Sequence, residues 1–115
     1  MKYAMLIYTD QASEASRSQA EQQSIMGAYH GFTTEVREKD LYKAGEALYP
    51  TTSATTVRVR DGRAVTTDGP FAETKEQLGG FYILDCKDLD EAIEYAAKIP
   101  GAAHGSVEVR PVVVW

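Results

Sequence analysis

Six side chains able to carry charge or hand over a proton or hydrogen bond crowd into ten positions of this chain: Asp68, Glu73, Thr74, Lys75, Glu76 and Gln77. Carboxylates beside an amine are the residue types of general acid/base chemistry. One carboxylate takes a proton, and the ammonium group steadies a developing oxyanion. In that scheme Asp68 is the base, Lys75 the electrostatic partner, and Glu73 or the more distant Glu46 the second carboxylate. His30 is the other candidate for proton transfer, although it also fits a helix-flank residue with no duty. The same residues fit two further readings: a small-molecule site without turnover, or a salt-bridged structural loop. For a binding site the candidates are Glu46, Phe71, Glu73, Lys75 and Gln77, with Tyr8 and Tyr82 as aromatic walls. A hard cation held by Glu46, Asp68 and Glu73 lacks any fixed ligand spacing, so no metal and no cofactor is expected.

The stretch Thr67 to Gly80 that holds these groups shows no strand or helix period and reads as irregular structure. Asp68-Gly69-Pro70 is a turn, because glycine tolerates positive φ and proline fixes its own. Phe71, bulky and apolar, follows at once, and the expectation is a loop pinned to the core.

The elements that must position this loop follow from patterning. Residues 3–8 are apolar on both alternating sets, as in a strand buried on two sides. Residues 10–17 are polar and read as a loop. Ser18 and Glu21 form a capping box that opens a helix over about residues 19–39. Its stripe is Ile25, Tyr29, Phe32 and Val36. A short strand over 43–48 stops at Pro50 and carries Glu46. Residues 55–60 and 63–67 flank Asp61-Gly62, a two-residue turn of type I′. The turn sets the register: Arg60 faces Arg63, Val59 faces Ala64, and Thr55 faces Asp68. The arginines read either as a solvated hairpin end or as an anion site. Residues 80–86 form a second strand apolar on both sides. Asp88 caps a helix with the stripe Leu89, Ala92, Ile93 and Ala96, stopped by Pro100-Gly101. A last strand, about 106–113, carries Pro111, which suggests an edge position or a bulge near its end.

With the hairpin set aside, the order is βαββαβ, the ferredoxin-like α+β arrangement, in one domain spanning residues 1–115. Two helices cover only one face of its sheet. The other face carries either the Tyr8, Leu6, Tyr82, Leu84 set or its alternate, an apolar surface large enough to require a partner. The expectation is a homodimer with its sheets face to face and a small-molecule cavity near that interface.

Composition narrows the function classes. A formal net charge of -5 argues against nucleic acid as a partner. No apolar run reaches the roughly 18 residues that span a bilayer. The opening residues are too short for a signal peptide's apolar region and cleavage site. The single cysteine, Cys86, excludes an internal disulfide and fits a reducing compartment, with a packing role. The expectation is a cytoplasmic protein.

Asp68-Gly69-Pro70-Phe71-Ala72-Glu73-Thr74-Lys75-Glu76 resembles the signature of the YCII-related family, in the branch named for its DGPF motif. Gly45-Glu46, the start of the hairpin at Ala54–Arg58, Gln77–Tyr82 and Gly105–Pro111 also look like that branch, so the resemblance covers nearly the whole chain. It implies a ferredoxin-like, dimeric α+β barrel. It further implies activity through a histidine–aspartate pair, which here requires His30 to meet Asp68, and an association with extracytoplasmic-function sigma factors.

Overall fold

The computed structural model describes residues 1–115. Strand β1 (Lys2–Thr9) lies inside an antiparallel four-stranded sheet, between β5 (Gln77–Asp85) and β6 (Ser106–Pro111). Strand β2 (Tyr42–Ala47) pairs along the other side of β5. The two strands that are apolar on both sides therefore take the central places, and Pro111 lies on an edge strand, where a missing N–H costs no ladder bond. Helices α2 (Gln19–Glu38) and α3 (Leu89–Ala96) cover one face. The order β2-β5-β1-β6 is the ferredoxin-like one. No helix is long and apolar enough to cross a membrane.

Ser18 caps α2 as its spacing predicts, its Oγ accepting from the Glu21 N–H at 3.1 Å. The core is small: Tyr3, Met5 and Ile7 of β1 and Tyr82 and Leu84 of β5 meet Phe32 and Val36 of α2. Alanines 92 and 96 of α3 add to it, and Cys86 is buried within it. The hairpin, β3 (Thr55–Arg60) and β4 (Arg63–Asp68), has the predicted register, with Thr55 opposite Asp68 and Arg60 opposite Arg63. Asp61 and Gly62 both take positive φ, 52° and 74°, as a type I′ turn requires. The hairpin forms its own two-stranded sheet. The chain measures 47 × 44 × 19 Å with a radius of gyration of 16.0 Å. A compact domain of this length has a radius of about 13 Å.

Several expectations are corrected. The polar segment after β1 is a short helix, α1 (Gln11–Ala15), because the Asp10 carboxylate accepts from the Ala12 N–H and the Ser13 hydroxyl. Strand β5 begins at Gln77, three residues earlier than its apolar run, since pairing with β1 continues through a bulge to Thr9. On α3 the buried face is Ala92, Tyr95 and Ala96, continued by Ile99, while Leu89 and Ile93 are half exposed. Helix α3 ends at Ala96, ahead of Pro100-Gly101 as expected, and an unexpected one-turn helix, α4 (Gly101–His104), follows. Tyr8 and Tyr82 lie on opposite faces of the sheet. The register sets Leu6 against Phe81 and Met5 against Tyr82, and directly paired residues point the same way. The open face thus carries Ala4, Leu6 and Tyr8 with Phe81 and Ile83, half of each expected set and neither set whole. Finally, Phe71 is 77% exposed and pins nothing within the chain.

Candidate functional site

A cleft of about 660 Å³ lies on the helix-covered side of the sheet, bounded by α1, α2, α4, the end of β1, and β2 and β5. Its volume is in the range of small-molecule sites, roughly 300–1,000 Å³. One row of α2 supplies Ile25, Tyr29, Thr33 and Arg37, each four residues from the last and so aligned on one side of the helix. Tyr82 faces this row from β5. Its hydroxyl lies 2.8 Å from Thr33 Oγ1, and its ring meets Phe32 edge-on at 5.1 Å. Tyr42 stands beside it at 6.4 Å, with the Arg37 guanidinium 4.5 Å above the Tyr42 ring. That stacking holds the cation at the cleft wall.

The floor depends on two glycines. A Cβ on Gly101 would lie 2.7 Å from both Ile7 Cγ2 and the Tyr29 hydroxyl. A Cβ on Gly45 would lie 2.9 Å from the Tyr82 ring. Burial pushes the Tyr29 hydroxyl pKa above the ordinary phenol value, and the Gly101 backbone opposes this only in part. Burial raises the Tyr82 hydroxyl likewise, against its bond to Thr33. Both phenols are therefore neutral at neutral pH. Glu14, Arg17 and His104 complete the polar part of the lining.

The mouth is tied by Gln11. Its Oε1 accepts from the Thr51 N–H at 3.0 Å and the Thr51 hydroxyl at 3.1 Å, while its own N–H donates to Gln77 Oε1 at 3.0 Å. The Gln77 amide nitrogen donates back to the Thr74 carbonyl. Gln77 thus sits one residue outside the cleft and links it to the acidic loop.

Of the residues expected from sequence, Tyr82 lines the cleft and Gln77 braces it. Glu46 borders it through the chain, but its pairing with Phe81 sets its side chain toward the open face, where it is exposed. Asp68, at the base of the hairpin, is exposed, as are Glu73 and Lys75. None of the three ion pairs in the chain includes them. His30 is exposed on α2, next to Tyr29 but off the lining row. No ion pair joins it to Asp68. Tyr8 belongs to the open face.

Sequence reasoning assigned Tyr29 to the core and passed over Thr33, Arg37, Tyr42 and His104. The four-residue spacing from Ile25 to Arg37 was a signal for the first two. Nothing local marks Tyr42 or His104, which arrive through strand pairing and through α4.

Two comparisons bear on this geometry. The family model of the YCII-related domain matches residues 1–115. An uncharacterized protein of Rhizobium meliloti (strain 1021) is 39% identical over 117 residues, covering 100% of this chain and 94% of that protein.

Proposed function

The chain belongs to the YCII-related family, and on that premise we propose that it binds a small molecule in the cleft between α2 and the sheet, as a homodimer. The carrying observation is the convergence of two neutral phenols, the Thr33 hydroxyl and the Arg37 guanidinium on one aromatic-walled cleft. Such a lining suits a planar or aromatic molecule bearing an acceptor oxygen or carboxylate. The dimer reading rests on the open sheet face, where Leu6, Tyr8, Phe81 and Ile83 are only half covered.

Native mass spectrometry of the purified protein tests both parts, since it reports co-purified ligand and stoichiometry together. Against the identified ligand, Tyr29→Phe and Tyr82→Phe are expected to weaken binding about tenfold each, as loss of one hydrogen bond does. Asp68→Asn is expected to leave it unchanged. Binding that ignores both tyrosines and fails in Asp68→Asn would move the site to the loop.

A second reading is acid/base turnover with Asp68 as base and His30 or Lys75 assisting. What favours it is that Asp68, Glu73 and Lys75 are free of internal ion pairs, while Gln77 tethers their loop to the cleft mouth. Turnover that survives Asp68→Asn with an unaltered pH profile rules it out. The exposed Phe71 also favours a protein contact for this loop, with an extracytoplasmic-function sigma factor as candidate partner. Co-purification unaffected by Phe71→Ser would exclude that contact.

A further inference from the structure

The hairpin of β3 and β4 is built like half of an interface. It pairs with no other strand. Its ties to the rest of the chain include the Gly69 N–H to the Ala54 carbonyl and the Thr56 hydroxyl to the Gly69 carbonyl, both at its own base. An isolated two-stranded hairpin is at best marginally stable in water. Its register places Val57, Val59, Ala64 and Thr66 on one face, and Arg58, Arg60, Arg63 and Val65 on the other. Val57 is 60% exposed and Val59 64% exposed, unusual for β-branched residues in a strand.

Two quantities say what covers this arm. The first is area. The chain exposes 7989 Å². A folded monomer of its mass, 12.6 kDa, exposes about 6,200 Å². The excess, about 1,800 Å² per copy, exceeds the roughly 800 Å² that one partner gives to a standard interface and falls in the range of obligate dimers. The second is charge. Arg58, Arg60 and Arg63 against Asp61 and Asp68 leave residues 55–68 at +1, so the remainder carries -6 of the total of -5. None of the three guanidiniums has a carboxylate within ion-pair distance in its own chain. A basic arm with one greasy face, on an otherwise acidic body, is complementary to another copy of that body.

We propose that residues 55–68 are a clasp that reaches onto a second copy of this chain, its valine face packed against that copy and the arm's net positive charge drawn to that copy's acidic body. The clasp rests on the homodimer proposed above and extends it beyond the sheet face. In a twofold pair the two arms are exchanged reciprocally, so each substitution acts twice.

The test is sedimentation equilibrium of the full chain, in three forms. Val57→Thr/Val59→Thr keeps β-branched residues and hence strand propensity, but removes the apolar contact. It is expected to weaken self-association at least ~100-fold, because four buried valines are lost per pair. Leu6→Asp probes the sheet face alone. Dissociation by Leu6→Asp together with a valine variant that associates like the parent overturns the clasp and leaves the sheet-face dimer standing. A parent chain that is monomeric at micromolar concentration overturns both. Hydrogen exchange supplies a readout independent of any variant. Amides of β3 and β4 are expected to be protected in the dimer and to lose protection on dilution into monomer. Fast exchange there in the intact dimer also overturns the clasp.

Discussion

Replacing Gly101 by alanine separates two physical readings that differ in sign. Gly101 opens α4, and its φ is not in the left-handed region, so the backbone accepts alanine. On propensity alone the change stabilises, by up to about 1 kcal/mol, because alanine loses less entropy in a helix than glycine. The tertiary structure argues the reverse. The new methyl carbon would stand 2.7 Å from Ile7 Cγ2 and 2.7 Å from the Tyr29 hydroxyl, against ordinary contacts near 3.5–4 Å. Ile7 is held in a central strand and buried, so it yields little. Overpacking of this kind costs about 1–3 kcal/mol. An unfolding entropy of roughly 2.1 cal/mol/K per residue converts this, for 115 residues, into a Tm lowered by about 4–12 °C. Calorimetry on the single variant gives the sign. A double-mutant cycle with Tyr29→Phe gives the cause, because removing the hydroxyl removes one of the two overlaps. The alanine is then expected to cost at least about 0.5 kcal/mol less in the Tyr29→Phe background. A Tm that rises, or a cost identical in both backgrounds, would refute the account of the cleft floor.

Tyr82→Phe strands the Thr33 hydroxyl and is expected to cost about 1 kcal/mol, whereas Tyr82→Phe with Thr33→Val, which removes both partners, recovers most of it. Thermal melts of the two variants check this; equal losses would count against the bond. The Lys98 and Lys39 ammonium groups hold the Glu35 carboxyl below its ordinary pKa, and the amino terminus does the same for Asp85. A depressed folded-state pKa gives stability that is present above the unfolded value and lost as pH falls through the folded one. Urea midpoints at low salt are therefore expected to decline from about pH 5 to about pH 3, less steeply in Glu35→Gln. Asp85 and the lysines are open to solvent and Glu35 is partly so, so added salt is expected to flatten the decline, and a slope indifferent to both changes refutes it.

Local chemistry carried much of the fold. The Ser18 cap, the Asp61-Gly62 turn and the Asp88 cap each act over three or four residues, so their partners are visible in the sequence. The hairpin register follows from turn length alone, and strands apolar on both sides had to be central. What could not be read locally depended on which of two equivalent patterns found a partner. On α3, Leu89, Ala92, Ile93 and Ala96 have the same spacing as Ala92, Tyr95, Ala96 and Ile99. The second set is buried, with the Tyr95 hydroxyl accepting from Lys39, the residue just past the end of α2. On β5 the face of Tyr82 was set by its register with Met5, one residue either way exchanging cleft and open face. The density of charge after the hairpin pointed to a site, yet those side chains are exposed. The cleft is made instead by residues far apart in the chain, from Tyr29 and Tyr42 to Tyr82 and His104. Short-range hydrogen bonds and alternation are written residue by residue. A cavity is the space left where helices and strands meet, and only their assembly determines which side chains border it.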